Sequence, residues 1–401
     1  MRSLLIRTFI LSVFLFSCVT PAGFSGESLR DLSLSLPKDL KDLTKIRILV
    51  QRDKPVVKVS ATTPFEVLDD QGHSVSSGPQ LDGATVKPAP QGIQWWSRVV
   101  PTQFLIVKSI GHGIRVGSSG VYRDEVLIYR NAKGTLDVIN RLDLDDYLKG
   151  VIPFEGNPAW ALEALKAQAV ASRTFALTKM LTRRDLEYDV SSGMISQVYA
   201  GKQIENERTS EAVDATQGEV LLYDGKIFPA YFHSTCGGAT TAADLVWKVK
   251  PHPALAGVEC QYCKRSPHYK WQAVVTPAEI KEKLAKQQMP VSEVLGIRLD
   301  KVDRTGRAHK LVIKSTWAEK TVDADGFRVW IDPMRLKSNL ITKISTNDAG
   351  AFVFKGRGWG HGVGMCQYGM KYLGELGYNY KDILGYYYPV AQISKLKEFE
   401  K

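Results

Sequence analysis

The sequence predicts an α+β fold, and three observations predict it. Short β-rich runs crowd the first third of the chain: IRILVQ, VVKVSA, FEVLDD, VLIYR and TLDVI, all between residues 46 and 139. A long Ala/Leu/Gln/Lys-rich segment from Pro158 to Leu177 sets Leu162, Leu165, Ala169 and Ala176 near helical spacing. Downstream, strands and helices mix without regular βαβ alternation, which argues against a doubly wound sheet. The 401 residues, 44% of them hydrophobic, suffice for one large or two medium domains.

Residues 1–26 form a signal segment. Met1-Arg2 and Arg7 give a positive start, and Phe9 to Phe16 an apolar run too short to span a bilayer comfortably. Leu15-Phe16-Ser17-Cys18 is similar to a bacterial lipoprotein cleavage site with Cys18 lipidated; a cut after Ala22 is the alternative. The protein is therefore expected to be exported, periplasmic or in the cell envelope, touching the membrane only through a lipid on Cys18.

Residues 27–138 make a β-rich N-terminal region. Its first part, to Thr44, is polar and Leu-punctuated, a tether or short helix. Turns are expected at Gln71-Gly72 and from Asn131 to Gly134, and the Gly/Pro/Ser-rich stretch from Ser76 to Gly92 reads as a long loop. Residues 139–395 form the second domain. Asp143 caps a short helix through Leu148, and Asn157 caps the long helix with Pro158 as its first residue. A helix at 206–216, strands VLLYD and IFPAYFH, and a helix at 277–287 follow. Short strands fill 295–345, with a turn from Arg304 to Arg307. A Gly-rich loop and two helices, the last near Tyr380 to Tyr387, close the chain.

The formal net charge is +11. Nucleic acid is the usual partner of such a chain, but the export signal argues against it. A carboxylate-bearing glycan or an anionic membrane face is the remaining polyanion. Charge of this kind governs encounter and solubility rather than chemistry.

Three constellations are candidates for chemistry. Glu155 is a lone carboxylate in a Phe-Glu-Gly turn ahead of the long helix, where a rigid element would position a general acid; acids near helix starts also serve the helix dipole alone. Phe232 to Gly238, FHSTCGG, sets short polar groups beside two glycines. A Ser-His hydrolase is disfavoured there, because adjacent strand side chains point opposite ways and His233 is badly placed to activate Ser234. Gly356, Gly358, Gly360, Gly362 and Gly364 alternate with Arg357, Trp359, His361 and Val363. The pattern is neither a dinucleotide turn nor a P-loop. Trp359 offers a face for a pyranose ring. Tyr386-Tyr387-Tyr388 reads as helix packing.

Cysteine usage points to a metal. With Cys18 assigned to the signal, Cys236, Cys260, Cys263 and Cys366 remain, and Cys260-Gln-Tyr-Cys263 is a Cys-x-x-Cys knuckle. Four thiolates suit a structural tetrahedral zinc. Two disulfides, which an oxidising compartment permits, are the rival.

The segments GVIPFEGNPAWALEALKAQAVASRTFAL, SQVYAG, FHSTCGGATTAADLVW and GRGWGHGVGMCQYGMKYLGELGYNYKDILGYYYP occur in the order found in the SpoIID/LytB family of sporulation stage II protein D and amidase-enhancer proteins, with NRLDLDDYLKGVIP as lead-in. The chain resembles that family over roughly residues 100–390. The resemblance implies a SpoIID-like catalytic domain and a lytic transglycosylase. Its substrate would be peptidoglycan strands stripped of stem peptides, cut at the β-1,4 bond after N-acetylmuramic acid to leave 1,6-anhydro ends. It makes Glu155 the single general acid and base, with no cofactor needed for chemistry. Residues expected at the glycan are Gln168, Arg173, Gln197, Tyr199, His233, Ser234, Thr235 and His361; for Arg173 a buried ion pair is the alternative, and for His361 a core histidine held by backbone bonds. A separate cell-wall amidase is a possible partner, and a non-catalytic binder that enhances it is the rival function. A hydrolase with Asp189 or Asp214 as second acid is a further rival. Some relatives hold zinc through a His and two Cys ahead of the QVY motif. YDVSSGMISQVY here lacks both residue types, so zinc in this chain rests on its own four cysteines.

Overall fold

The computed structural model describes residues 30–36, 43–109, 111, 113–192 and 198–396. Residues 1–29, which include Cys18 and the expected signal, and Gln197 lie outside the described residues. The chain forms two compact units: Leu34–Pro229 with the segment from Ile393, and Ala230–Gln392 with residues 30–33.

The first unit opens with twelve strands: β1 (Lys45–Lys54), β2 (Val57–Ala61), β3 (Phe65–Leu68), β4 (Ser74–Gly78), β5 (Leu81–Ala89), β6 (Gly92–Trp95), β7 (Arg98–Val100), β8 (Phe104–Ser109), β9 (Ile114–Val116), β10 (Gly120–Tyr122), β11 (Glu125–Arg130) and β12 (Leu136–Asp143). Helices α1 (Leu144–Lys149), α2 (Ile152–Glu155), α3 (Leu162–Thr182) and α4 (Glu207–Ala215) follow, with short strands β13 (Val190–Ser191), β14 (Glu219–Tyr223) and β15 (Lys226–Ile227). One seven-stranded sheet runs β13-β1-β12-β11-β8-β3-β4, and a six-stranded sheet runs β10-β9-β2-β5-β6-β7. The period-2 alternation of half-buried strands is clear in β2, where Val57, Val59 and Ala61 are buried and Lys58 is exposed.

Two expectations are corrected here. The loop expected from Ser76 to Gly92 is mostly strand, because Ala84 and Val86 alternate inward and Pro88 stands opposite Ile93 without ending the ladder. The boundary placed at 138/139 falls inside β12, which pairs with β1 along its length; the compact units divide at 229/230.

The second unit contains β16 (Phe232–His233), α5 (Ala243–Val246), β17 (Lys270–Val275), α6 (Pro277–Lys286), β18 (Val294–Val302), β19 (Ala308–Ser315), β20 (Glu319–Asp323), α7 (Ala324–Ile331), β21 (Ile341–Thr346), β22 (Phe352–Arg357), β23 (Met365–Cys366), α8 (Gln367–Glu375) and α9 (Tyr380–Tyr387). Two three-stranded sheets, β17-β22-β21 and β18-β19-β20, pack with α6 and α7 around Val275, Ile280, Leu311, Phe327 and Phe354. The sequence reading missed α7. Its start is set by Asp323, whose carboxylate accepts from the Asp325 and Gly326 amides. Mixed small sheets and helices make the fold α+β, as expected.

Candidate functional site

In the first unit, Asp143 caps α1 by accepting from the Asp145 amide at 2.8 Å. Helix α2 is a single turn with Pro153 near its start, and Glu155 is its last residue, half-buried. The long helix starts later than expected. The Asn157 side chain accepts from Ala159 N at 2.9 Å, and its carbonyl accepts from Trp160 N at 2.9 Å. Asn157 therefore spends its side chain on a local turn, and α3 begins at Leu162 with no side-chain cap. Glu155 thus ends α2, six residues before the last residue ahead of α3, Ala161, and is not at the N-terminus of α3.

Helix α3 is buried on nearly every side. Gln168 is fully buried and donates Nε2 to Ser172 Oγ at 3.1 Å. Arg173 is 1% exposed. It donates Nε to Asp145 Oδ1 at 2.6 Å, Nη1 to Glu219 O at 3.1 Å and Nη2 to Val213 O at 3.3 Å. Its fork joins α1, α4 and β14 to α3, which is a structural commitment. Tyr199 is buried, donates to Asn140 Oδ1 at 2.7 Å and stacks on Tyr147 with centroids 5.2 Å apart. Burial pushes the Tyr147 phenol well above its usual range, and the neighbouring Glu155 charge adds to the shift. Tyr147 and Asp145 belong to this site, and the sequence reading missed both. Their signal was present in the lead-in Asp145-Asp146-Tyr147. Asp189 is buried and locked to Arg47 at 2.7 Å, whereas Asp214 is an exposed partner of Lys149 at 3.0 Å.

In the second unit, β16 and β23 pair in parallel, with Phe232 opposite Met365 and His233 opposite Cys366. This pairing joins the HST strand to the end of the Gly-rich loop. His233 donates Nδ1 to Val363 O at 3.0 Å, and His361 Nδ1 accepts from Val363 N at 3.0 Å. Burial pushes the His361 pKa down to about 3 and the His233 pKa well below the usual range. Both rings are neutral and buried, and the half-buried Trp247 lies 5.1 Å from His361. Ser234 and Thr235 are also buried; the Thr235 hydroxyl meets Ser266 Oγ at 2.7 Å. Trp359 is no open sugar platform. It is buried, bridged to Thr235 through both backbone directions and overlain by Lys337 at 4.5 Å from its ring centre. Glycine is required at Gly362, where φ is 84° and a Cβ would lie 2.4 Å from Arg307 Nε. Of the residues expected at a glycan and described here, only Glu155 is not buried.

Cys236, Cys260, Cys263 and Cys366 are all buried and unbridged, and their sulfur atoms lie within 4.8 Å of one another. Metal–sulfur bonds of ~2.3 Å at tetrahedral angles space sulfurs ~3.8 Å apart, and the Cys236 and Cys263 sulfurs are 3.3 Å apart, too far for a disulfide. Burial raises the Cys236 and Cys366 thiols well above their ordinary range, whereas hydrogen bonds from the neighbouring sulfurs lower Cys260 and Cys263, so holding all four as bare thiolates would be costly. A cation would remove that cost, and the cluster fits one. Arg307 lies beside it, buried, donating Nη2 to Cys236 O at 2.6 Å. Tyr387 is buried and meets Cys260 Sγ at 3.3 Å.

A family model described as Stage II sporulation protein matches residues 132–223, and one described as a domain of unknown function matches residues 255–364. The chain is 34% identical to an uncharacterized protein of Brachyspira hyodysenteriae, over 72% of this chain and 82% of that one. It is 30% identical to Stage II sporulation protein D of Bacillus subtilis, over 68% of this chain and 79% of that protein. It is 31% identical to the Amidase enhancer of Bacillus subtilis over 60% of this chain, spanning 39% of the enhancer. The buried helix behind Glu155 lies within the matched segment. The chain belongs to the Stage II sporulation protein D family. Among the described residues, no helix is long and apolar enough to cross a membrane.

Proposed function

We propose that this protein is a peptidoglycan lytic transglycosylase in which Glu155 is the sole catalytic carboxylate. The observation that supports it best is the placement of Glu155: a half-buried acid ending a one-turn helix, held against the buried α3 and beside Tyr147. As an acid, Glu155 protonates the glycosidic oxygen while the bond from that oxygen to muramic C1 breaks. The resulting carboxylate then takes the proton of the muramic C6 hydroxyl as O6 bonds to C1. The proton returns to Glu155, no water is consumed and a 1,6-anhydro end results. This scheme needs one carboxylate, unlike two-carboxylate hydrolysis. The hydrolase reading is weaker, since Asp189 is tied to Arg47 and Asp214 to Lys149. The preferred substrate is glycan without stem peptides, and Gln197 remains the proposed contact outside the described residues.

The same proposal gives the four cysteines a zinc ion that cross-links β16, β23 and the Cys260–Cys263 knuckle. Its four protein ligands leave no site for an activated water. The chain is proposed to be exported through its first 26 residues, with Cys18 as the lipid site. The second reading is a glycan binder that enhances a separate amidase, favoured by the relative of that name.

The test is Glu155→Gln on purified denuded glycan, with products read by mass spectrometry. Loss of a general acid should slow release by about 10²–10⁴-fold. Anhydro products formed at the normal rate by the variant would refute the assignment. Reducing-end products would point to hydrolysis, and no products from the wild type would favour the enhancer.

A further inference from the structure

We infer that the outer face of the six-stranded sheet in the first unit is a second glycan-binding surface, built for a saccharide chain that carries carboxylates. This inference rests on the peptidoglycan reading for the identity of that chain.

Trp95 pairs with Arg98, so Trp96 and Ser97 form a two-residue hairpin loop. Trp96 runs at φ 55° in the first loop position. A positive φ there is usually supplied by glycine, which meets no steric penalty. A tryptophan at this point costs conformational energy and remains 51% exposed. Strain of this kind at an exposed aromatic is a mark of function.

The register extends the surface inward from that tip. Lys87 stands opposite Gln94, and Gln94 opposite Val99, which is 47% exposed. Lys58 stands opposite Thr85, and Arg115 opposite Ser60. Cross-strand partners share one face of a sheet, and the opposite face buries Val57, Val59, Ala84 and Val86. Lys58, Lys87 and Arg115 are exposed, and among the described residues none of them forms an ion pair. No acidic residue occupies these paired positions.

The surface therefore combines an aromatic edge, an amide and three unpaired cations on a flat ladder. An indole face covers one side of a pyranose ring, the Gln94 amide, which donates Nε2 to Trp96 O at 2.8 Å, offers its oxygen to a hydroxyl, and the cations meet carboxylates such as muramic lactyl groups. Anionic lipid is the competing polyanion, but lipid anchoring favours clustered apolar side chains at the interface, and here the apolar pair is Trp96 and Val99 alone.

The test uses the full mature chain carrying Glu155→Gln, so that bound glycan is not cut. Co-sedimentation is measured with denuded peptidoglycan, with chitin as the neutral glycan, and with phosphatidylglycerol vesicles. Trp96→Gly should bind denuded peptidoglycan about tenfold more weakly while its melting temperature stays equal or rises, because the turn is relaxed. Lys58→Glu with Lys87→Glu should weaken binding by a similar factor and flatten its salt dependence, and chitin should bind less well than peptidoglycan. Unchanged glycan binding in both variants overturns the inference, as does Trp96-dependent binding to vesicles but not glycan. Equal binding of chitin overturns the role given to the cations. If the wild type yields no anhydro products yet its binding depends on Trp96, the transglycosylase reading fails and this surface stands.

Discussion

The Arg173 guanidinium donates Nε to the Asp145 carboxylate at 2.6 Å from a helix position that is 1% exposed. Two backbone carbonyls, of Glu219 and Val213, take its remaining bonds. Removing the arginine strands a carboxylate and two carbonyls in the packing of α1, α3, α4 and β14. Arg173→Ala should therefore lower stability by about 3 kcal/mol, read as a fall in melting temperature. The Michaelis constant of whatever folds should change little. An unaltered melt with a raised Michaelis constant would return Arg173 to the substrate.

His361 makes stability depend on pH. Burial, reinforced by the nearby Arg328 charge, depresses its pKa from 6.5 to about 3. Between those values the unfolded chain binds a proton that the folded chain refuses. The stabilisation is fully present above pH 6.5 and declines as pH falls towards 3, by about 1.4 kcal/mol per pH unit for this one group. His361→Asn keeps an acceptor for the Val363 amide but cannot titrate. Denaturant melts of the variant between pH 6.5 and 4 should show a shallower decline than the wild type; parallel slopes would show that His361 contributes nothing.

The fold class and much of the element order were legible in the chain. Asp143 reads as the cap of α1 and accepts a backbone amide in the structure, and the helices expected at 206–216 and 277–287 form as α4 and α6, where Asn206 and Thr276 prove to be the caps. The cysteine cluster was legible because its chemistry needs only residue types and one knuckle spacing. What was not legible depends on tertiary context. Asn157 matches a helix cap in sequence, and only the local turn shows its oxygen used elsewhere. Lys87 and Pro88 read as loop, although Val86 and Ala89 bury the strand that holds them. His233, Thr235, His361 and Trp359 carry groups that bind sugars when exposed, and sequence does not report that their neighbours cover them.

Two glycines separate backbone strain from close packing. Gly364 runs at φ 69°, and a Cβ there would lie 1.9 Å from Tyr231 O. Gly377, after α8, runs at φ 88° with nothing within 4 Å. Gly377→Ala should cost about 1–2 kcal/mol, the left-handed penalty alone. Gly364→Ala must also displace a backbone carbonyl beside β23, and should cost at least a further ~1–3 kcal/mol. Paired denaturant titrations compare them; equal losses would mean that the loop moves aside freely.

The arrangement of the four sulfurs predicts an order of events. Cys236 and Cys366 lie on the paired β16–β23 region, while Cys260 and Cys263 lie on the knuckle, so one ion would join segments about 130 residues apart in sequence. If zinc holds them, elemental analysis of protein purified without added metal should give one equivalent. Four thiols should then titrate only after denaturation with a chelator present. Cys366→Ser removes one of four ligands and should lose the metal with a marked fall in melting temperature, because binding free energy is folding free energy at such a site. Glu155 carries the proposed chemistry and needs no metal, so chelation at low temperature should leave initial cleavage rates near normal while heat inactivation speeds up. A rate that falls at once on chelation, with the melt unchanged, would contradict a structural role. No metal and no free thiols would show that disulfides join these segments instead.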